Sequence, residues 1–201
     1  MRKQDENTPK EQDEEQAGGR DLYEWVQALV CSVLAVVLLF TFVIRLIGVD
    51  GHSMVPTLQD RDRLLVLNSL LYDDYQYGDI VVLRKNTFLD DPIVKRVIAT
   101  EGQTVDIDFE SGTVYVDGEA LSEAYIHNET TNEEGTVFPL TVAENCIFVL
   151  GDNRAVSLDS RSPRIGQIDR REVLGKAICL LIPGTHHGQL LPDYSRIGAI
   201  Q

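Results

Sequence analysis

Thr104-Val105-Asp106-Ile107-Asp108-Phe109 and Thr113-Val114-Tyr115-Val116-Asp117-Gly118 decide the fold class. Apolar and polar residues alternate with a period of two, which is the mark of a half-buried strand rather than a helix. Asp117-Gly118 then supplies the two positive-φ positions that a type I′ turn needs, so Thr104–Leu121 reads as a small meander. Short apolar or alternating runs of the same kind recur on both sides: Arg63–Asn68, Ile80–Arg84, Ile93–Ala99, Ile147–Leu150 and Leu174–Ile182. Turn signals separate them, and no long helical periodicity follows Arg45. The polar stretch His127–Gly135 is expected to be an exposed loop. The chain from residue 48 onward is therefore expected to be mostly β.

Upstream the character changes. Val26 to Ile44 is a run of 19 residues without a charge, flanked by Trp25 and Arg45. A helix of about 20 residues crosses the ~30 Å hydrocarbon layer. Only Gln27, Ser32 and Thr41 interrupt the apolar surface, too few for the polar stripe of a soluble amphipathic helix. The run exceeds the ~7–15 residues of a cleaved signal peptide. No small-x-small site follows it either, since the chain continues Gly48-Val49-Asp50-Gly51-His52. An uncleaved single-pass anchor over residues 25–47 is expected. Residues 1–24 carry four basic and eight acidic side chains and no apolar run, and read as a solvated tail. Basic residues lie on both sides of the run, so the positive-inside rule leaves its orientation open.

Of the 201 residues, 18 are Lys or Arg and 32 are Asp or Glu, a formal net charge of -14. So acidic a surface repels phosphate backbones, which argues against nucleic acid as a partner. Cys31, Cys146 and Cys179 are too few and too scattered for a disulfide scaffold, and sequence leaves open whether Cys146 and Cys179 pair. His186-His187 lacks a second pair of ligands for a metal, and no glycine-rich phosphate loop occurs. No metal or cofactor is expected.

Four clusters carry the chemistry. Gly51-His52-Ser53-Met54-Val55-Pro56-Thr57 sets a serine on a stretch stiffened by Pro56, expected to be a stiff loop or strand end. His52 is its neighbour, but adjacent residues on extended backbone point to opposite faces, so direct proton transfer between them is not expected. Gly78-Asp79-Ile80-Val81-Val82 is a turn into a strand. In Ile93-Val94-Lys95-Arg96-Val97-Ile98 the alternation puts Lys95 on the face of Ile93 and Val97. Apolar surroundings disfavour the ammonium, and a neutral amine can act as a general base. Gly151-Asp152-Asn153-Arg154, with Ser157 and Asp159-Ser160-Arg161, brings many polar side chains to the end of an apolar strand; an Asp159/Arg161 pair could brace such a site.

In this order the clusters resemble the boxes of the type I signal peptidases, membrane-anchored serine proteases with a Ser/Lys dyad. The resemblance spans roughly residues 22–182. It implies Ser53 as acylating nucleophile and Lys95 as general base. It also implies that Ser157 orients the lysine amine, Asp159 and Arg161 brace the site, and the Ser53 N–H helps form the oxyanion hole. Gly51 stands where some members place a further hydroxyl. Shallow pockets near Met54 would receive small residues at positions −3 and −1 of a secretory preprotein, which pairs as an added strand. The implied layout is an antiparallel catalytic β domain over 48–102 and 144–201, with a small β subdomain inserted at 103–143. The N-terminus would be cytoplasmic and the catalytic domain extracytoplasmic. A soluble self-cleaving Ser/Lys protease shares the β core, but the anchor and the net charge oppose it.

Overall fold

A computed structural model describes residues 9–85, 91–185 and 191–200. The chain divides after Phe42 into two units. The first holds helix α1 (Pro9–Leu38), which continues as one π-helical turn, Leu39–Val43. Leu22–Val43 has a mean hydropathy of 2.6 and none of it is buried. Its 22 residues span about 33 Å at helical rise, enough to cross a bilayer. Two of the polar residues in the run are satisfied within the helix: Ser32 Oγ donates to the Leu29 carbonyl at 2.8 Å and Thr41 Oγ1 to that of Val37 at 2.7 Å. A hydroxyl paired with its own backbone is tolerated in lipid.

Two boundaries differ from the sequence reading. The helix begins at Pro9, inside the stretch read as a solvated tail. That stretch is rich in Glu and Gln, which form helix without an apolar face to bury; residues 1–8 lie outside the described residues. At the other end, Ile44–Gly48 belongs to a sheet and not to the anchor. Its apolar residues continue the hydrophobic run, so hydropathy alone hides the change.

The second unit, from Val43 onward, is built on an antiparallel sheet. Its strands are β1 (Ile44–Gly48), β2 (Arg63–Asn68), β3 (Ile80–Leu83), β4 (Ile93–Thr100), β9 (Cys146–Leu150), β10 (Ile168–Asp169), β11 (Val173–Ile182) and β12 (Gly198–Ala199). The order is β1-β2-β11-β3-β4-β9-β10, with β12 also on β11. β5 (Thr104–Asp108), β6 (Thr113–Val116), β7 (Glu119–Ala120) and β8 (Leu140–Thr141) make a second sheet, ordered β7-β6-β5-β8. The turn between β6 and β7 is the one expected, with φ of 52° at Asp117 and 83° at Gly118.

β4 is the joint between the layers. Val94 packs with Met54, Leu64, Val66 and Ile80 in one core, while Val97 packs with Val81, Val149 and Ile168 in another. Ile98 and Ala99 join Phe148 and Leu150 of β9 against Val105, Ile107 and Val114 of the small sheet. Phe109, Phe138 and Phe148 stack edge-to-face along that seam, 5.9 Å between centroids at each step. A bulge between Val97 and Ala99 changes the register against β9. Cys146 and Cys179 sit on β9 and β11, separated in the sheet by β3 and β4, and are free thiols.

Candidate active site

Lys95 lies on β4 opposite Val81 of β3, with strands on both sides. Apolar packing around the strand leaves the residue only 3% exposed. Its Nζ donates to Ser53 Oγ at 2.8 Å and to the Val94 carbonyl at 3.0 Å. Burial pushes the amine down to about 8, against the carboxylates of Asp159 and Asp152, which favour the charged form. At pH 7 about one molecule in ten then carries a neutral lysine.

Ser53 is held in a turn and not on extended backbone. The Val55 N–H donates to the His52 carbonyl at 3.3 Å and that of Leu58 to the Met54 carbonyl at 2.8 Å. The loop base is closed by Val49 N–H on the Asp62 carbonyl and Arg61 N–H on that of Val49, at 2.8 and 2.9 Å. Gly51, at φ +96°, lets its N–H reach Asp60 Oδ1 at 3.0 Å. Met54 is 1% exposed and packs in the core with Leu58 and Val49, where it nails the turn in place. Its side chain points inward, and it is not among the residues that line the cleft beside Ser53. His52 is exposed and bonds to Ser53 through neither ring nitrogen among the described residues.

The cluster after β9 forms the floor. Asp159 accepts from the Gly151 N–H at 3.0 Å and from Arg161 Nε and Nη2 at 2.8 and 2.9 Å. Arg161 Nη2 also donates to the carbonyls of Arg154 and Ser157. Both side chains of the pair are fully buried, so each charge depends on the other. Gly151 is required by space: a Cβ there would collide with Ser157 Oγ and lie 2.6 Å from the Ser53 carbonyl. Ser157 is buried beside it, but its hydroxyl has no hydrogen-bond partner among the described residues, and the expected bond to the lysine amine is not made. The two acceptors that Nζ reaches are Ser53 and Val94.

Several contributors were not singled out in the sequence. Arg96, on the opposite face of β4 from Lys95, grips Asp152 in a bidentate pair at 2.9 and 2.8 Å and covers the Tyr125 ring at 4.0 Å. Thr57 donates to the same carboxylate at 2.5 Å, tying the Ser53 loop to the Asp152 loop. Arg154 reaches Glu123 and Thr130 in the segment between β7 and β8. In the loop read as exposed, Thr130 is buried and Glu134 lies 3.6 Å from Arg161. Burial holds the Glu134 carboxyl above its ordinary range. Such pairings join segments far apart in the chain; Thr57, Arg96, Asp152 and Arg154 fall within the quoted clusters, while Glu123, Tyr125, Thr130 and Glu134 do not.

Ser53 and Lys95 open onto a cleft of about 520 Å³ whose walls include Gly51, His52, Ile93, Asn153, Val156 and Leu158. A larger hollow of about 640 Å³, lined by Arg84, Lys85, Cys146, Asp169, Arg171 and Glu172, contains neither dyad residue. It contains two ion pairs, Lys85 with Glu172 at 2.9 Å and Arg171 with Asp169 at 2.5 Å. His186-His187, assigned no metal from sequence, lies outside the described residues.

Residues 22–182 match the family model described as signal peptidase, peptidase S26. The signal peptidase I of Bacillus licheniformis is 35% identical over 81% of this chain and 89% of its own length. Signal peptidase I S of Bacillus subtilis (strain 168) is 31% identical over 82% and 91%. A crystal structure of a signal peptidase I from Enterococcus faecalis V583 is 30% identical, covering 51% of this chain and 96% of that one with a TM-score of 0.42. With the family model matched across four-fifths of its length, the chain belongs to the signal peptidase family, peptidase S26.

Proposed function

We propose that Ser53 and Lys95 are the catalytic dyad with which this chain cleaves its substrates. The chain is a serine endopeptidase that removes signal peptides from preproteins. In the proposed reaction, neutral Lys95 takes the hydroxyl proton as Ser53 Oγ attacks the carbonyl carbon of the scissile peptide bond. The oxyanion faces the backbone N–H of Ser53. Collapse breaks the C–N bond, and the lysine ammonium gives its proton to the departing amine. A water then attacks the acyl-serine, Lys95 accepts its proton, and the signal peptide leaves as a free acid while the proton returns to Ser53 Oγ.

The observation that carries this reading is the 2.8 Å contact between Ser53 Oγ and an amine that burial brings down to about 8. Asp159 and Arg161 brace the floor beneath it. The apolar wall of Ile93, Val156 and Leu158 supports a preference for small residues at −3 and −1 of an extended substrate. The Leu22–Val43 helix supports a single-pass anchor. Signal peptides emerge on the trans side of the membrane, so the β unit works there with the N-terminus cytoplasmic.

Purified protein incubated with a preprotein bearing an Ala-x-Ala site should release a mature product whose N-terminus follows the second alanine. Ser53→Ala and Lys95→Ala should each abolish release while melting like wild type. Cleavage retained by either variant would remove the dyad.

A further inference from the structure

We infer that Asn153 is the residue that aims the oxyanion hole, by holding the peptide plane between His52 and Ser53. The inference rests on Ser53 being the nucleophile. A trans peptide is flat, with its C=O and N–H pointing in opposite directions, so whatever fixes the carbonyl of His52 fixes the direction of the Ser53 N–H. Asn153 Nδ2 donates to that carbonyl at 3.2 Å. Its backbone N–H donates to the next carbonyl, that of Ser53, at 3.0 Å. One residue therefore grips two successive peptide planes from the far side. Among the described residues the Ser53 N–H itself meets no acceptor, which leaves it free for a developing oxyanion.

Two further observations single out the donor end of the amide. His52 O is an acceptor only, so the group facing it must be the NH2. The other end, Oδ1, is buried without a partner in a residue only 9% exposed, an arrangement that is unfavourable in itself. The side chain's one hydrogen bond among the described residues is thus the one to His52. Among the described residues the only other donor on His52 O is Val55 N–H, at a longer 3.3 Å. The clamp matters more here because Gly51 offers no hydroxyl as a second oxyanion donor. The transition state then relies on one backbone N–H whose direction is set by Asn153.

The test uses full-length protein in detergent, a preprotein substrate, and the variants Asn153→Ala and Asn153→Asp. Asp has the shape of Asn but presents an acceptor to an acceptor. Both variants should lose kcat by roughly tenfold to hundredfold with KM changed less than about twofold, the pattern of an interaction expressed only in the transition state. Asn153→Asp should lose at least as much as Asn153→Ala. If Asn153 merely fills space, the isosteric Asp keeps wild-type kcat, and the inference is overturned; a loss confined to KM overturns it equally. Melting curves establish that each variant is folded, and should Asn153→Ala not fold, Asn153→Asp carries the same comparison. Failure of the dyad reading is separate, because then Ser53→Ala itself would still cleave.

Discussion

At Lys95, burial opposes the ammonium while the carboxylates of Asp159 and Asp152 favour it, and burial prevails. The drop from 10.5 to about 8 corresponds to roughly 3 kcal/mol, at about 1.4 kcal/mol per unit. In the proposed reaction the neutral amine is the base, so kcat/KM on a peptide substrate should rise with pH through an apparent pKa near 8 and then level off. A profile already flat from pH 6 to 9 would contradict a lysine base. The same shift is a stability statement. The folded-state value lies below the unfolded one, so between about 8 and 10.5 the unfolded chain binds the extra proton and stability rises with pH. Below 8 the penalty is present in full. Lys95→Met should therefore melt several degrees above wild type at pH 7, with the gain shrinking as pH approaches 10.5. Thermal unfolding across that range checks it.

At the scale of elements, the segment after β9 works through buried charge. Asp159→Asn leaves the Arg161 guanidinium buried, with Glu134 at 3.6 Å as its remaining acidic neighbour. Urea unfolding should show a loss of about 3–5 kcal/mol. Asp169→Asn removes a pair of similar geometry, but its arginine is 90% exposed, and should cost less than about 1 kcal/mol. Equal losses would mean that burial is not what gives the first pair its weight. The sequence announces the long elements for a local reason: alternation marks β5 and β6 residue by residue, short apolar runs mark β2 and β4, and Asp117-Gly118 marks its turn by backbone chemistry. The two-residue strands β7, β8, β10 and β12 owe their existence to partners elsewhere in the chain, which no local pattern records. The apolar face that Lys95 shares was legible from the strand pattern, whereas its pairing with Ser53 was implied only by the resemblance of the four clusters. Which neighbours surround it was not: the inward turn of Met54, the unbonded hydroxyl of Ser157 and the Arg154–Glu123 link all depend on how distant segments pack.

For the whole molecule, the decisive boundary lies where helix gives way to sheet. A hydropathy reading ends the anchor at residue 47, whereas the second unit begins at Val43 and takes Ile44–Gly48 as its edge strand. Five residue pairs join β1 to β2, from Ile44 with Leu67 to Gly48 with Arg63. Ile47 packs against the core that contains Met54 and Leu64. A fragment starting at residue 43 keeps these contacts and sheds the unburied apolar helix. It should be monomeric without detergent, melt cooperatively and still cleave a short peptide carrying small residues at −3 and −1. A fragment starting at residue 48 bares the outer edge of β2, a row of unpaired N–H and C=O groups beside an opened core. It should melt about 5–10 °C lower, by the scale of a few kcal/mol lost from a chain of this size, and self-associate on a sizing column. Identical melting of the two fragments would mean that β1 adds nothing to the sheet and that the hydropathy boundary is the true one. The full chain should stay in the membrane pellet through a high-salt wash, because its attachment is the apolar Leu22–Val43 surface and salt weakens only charge contacts.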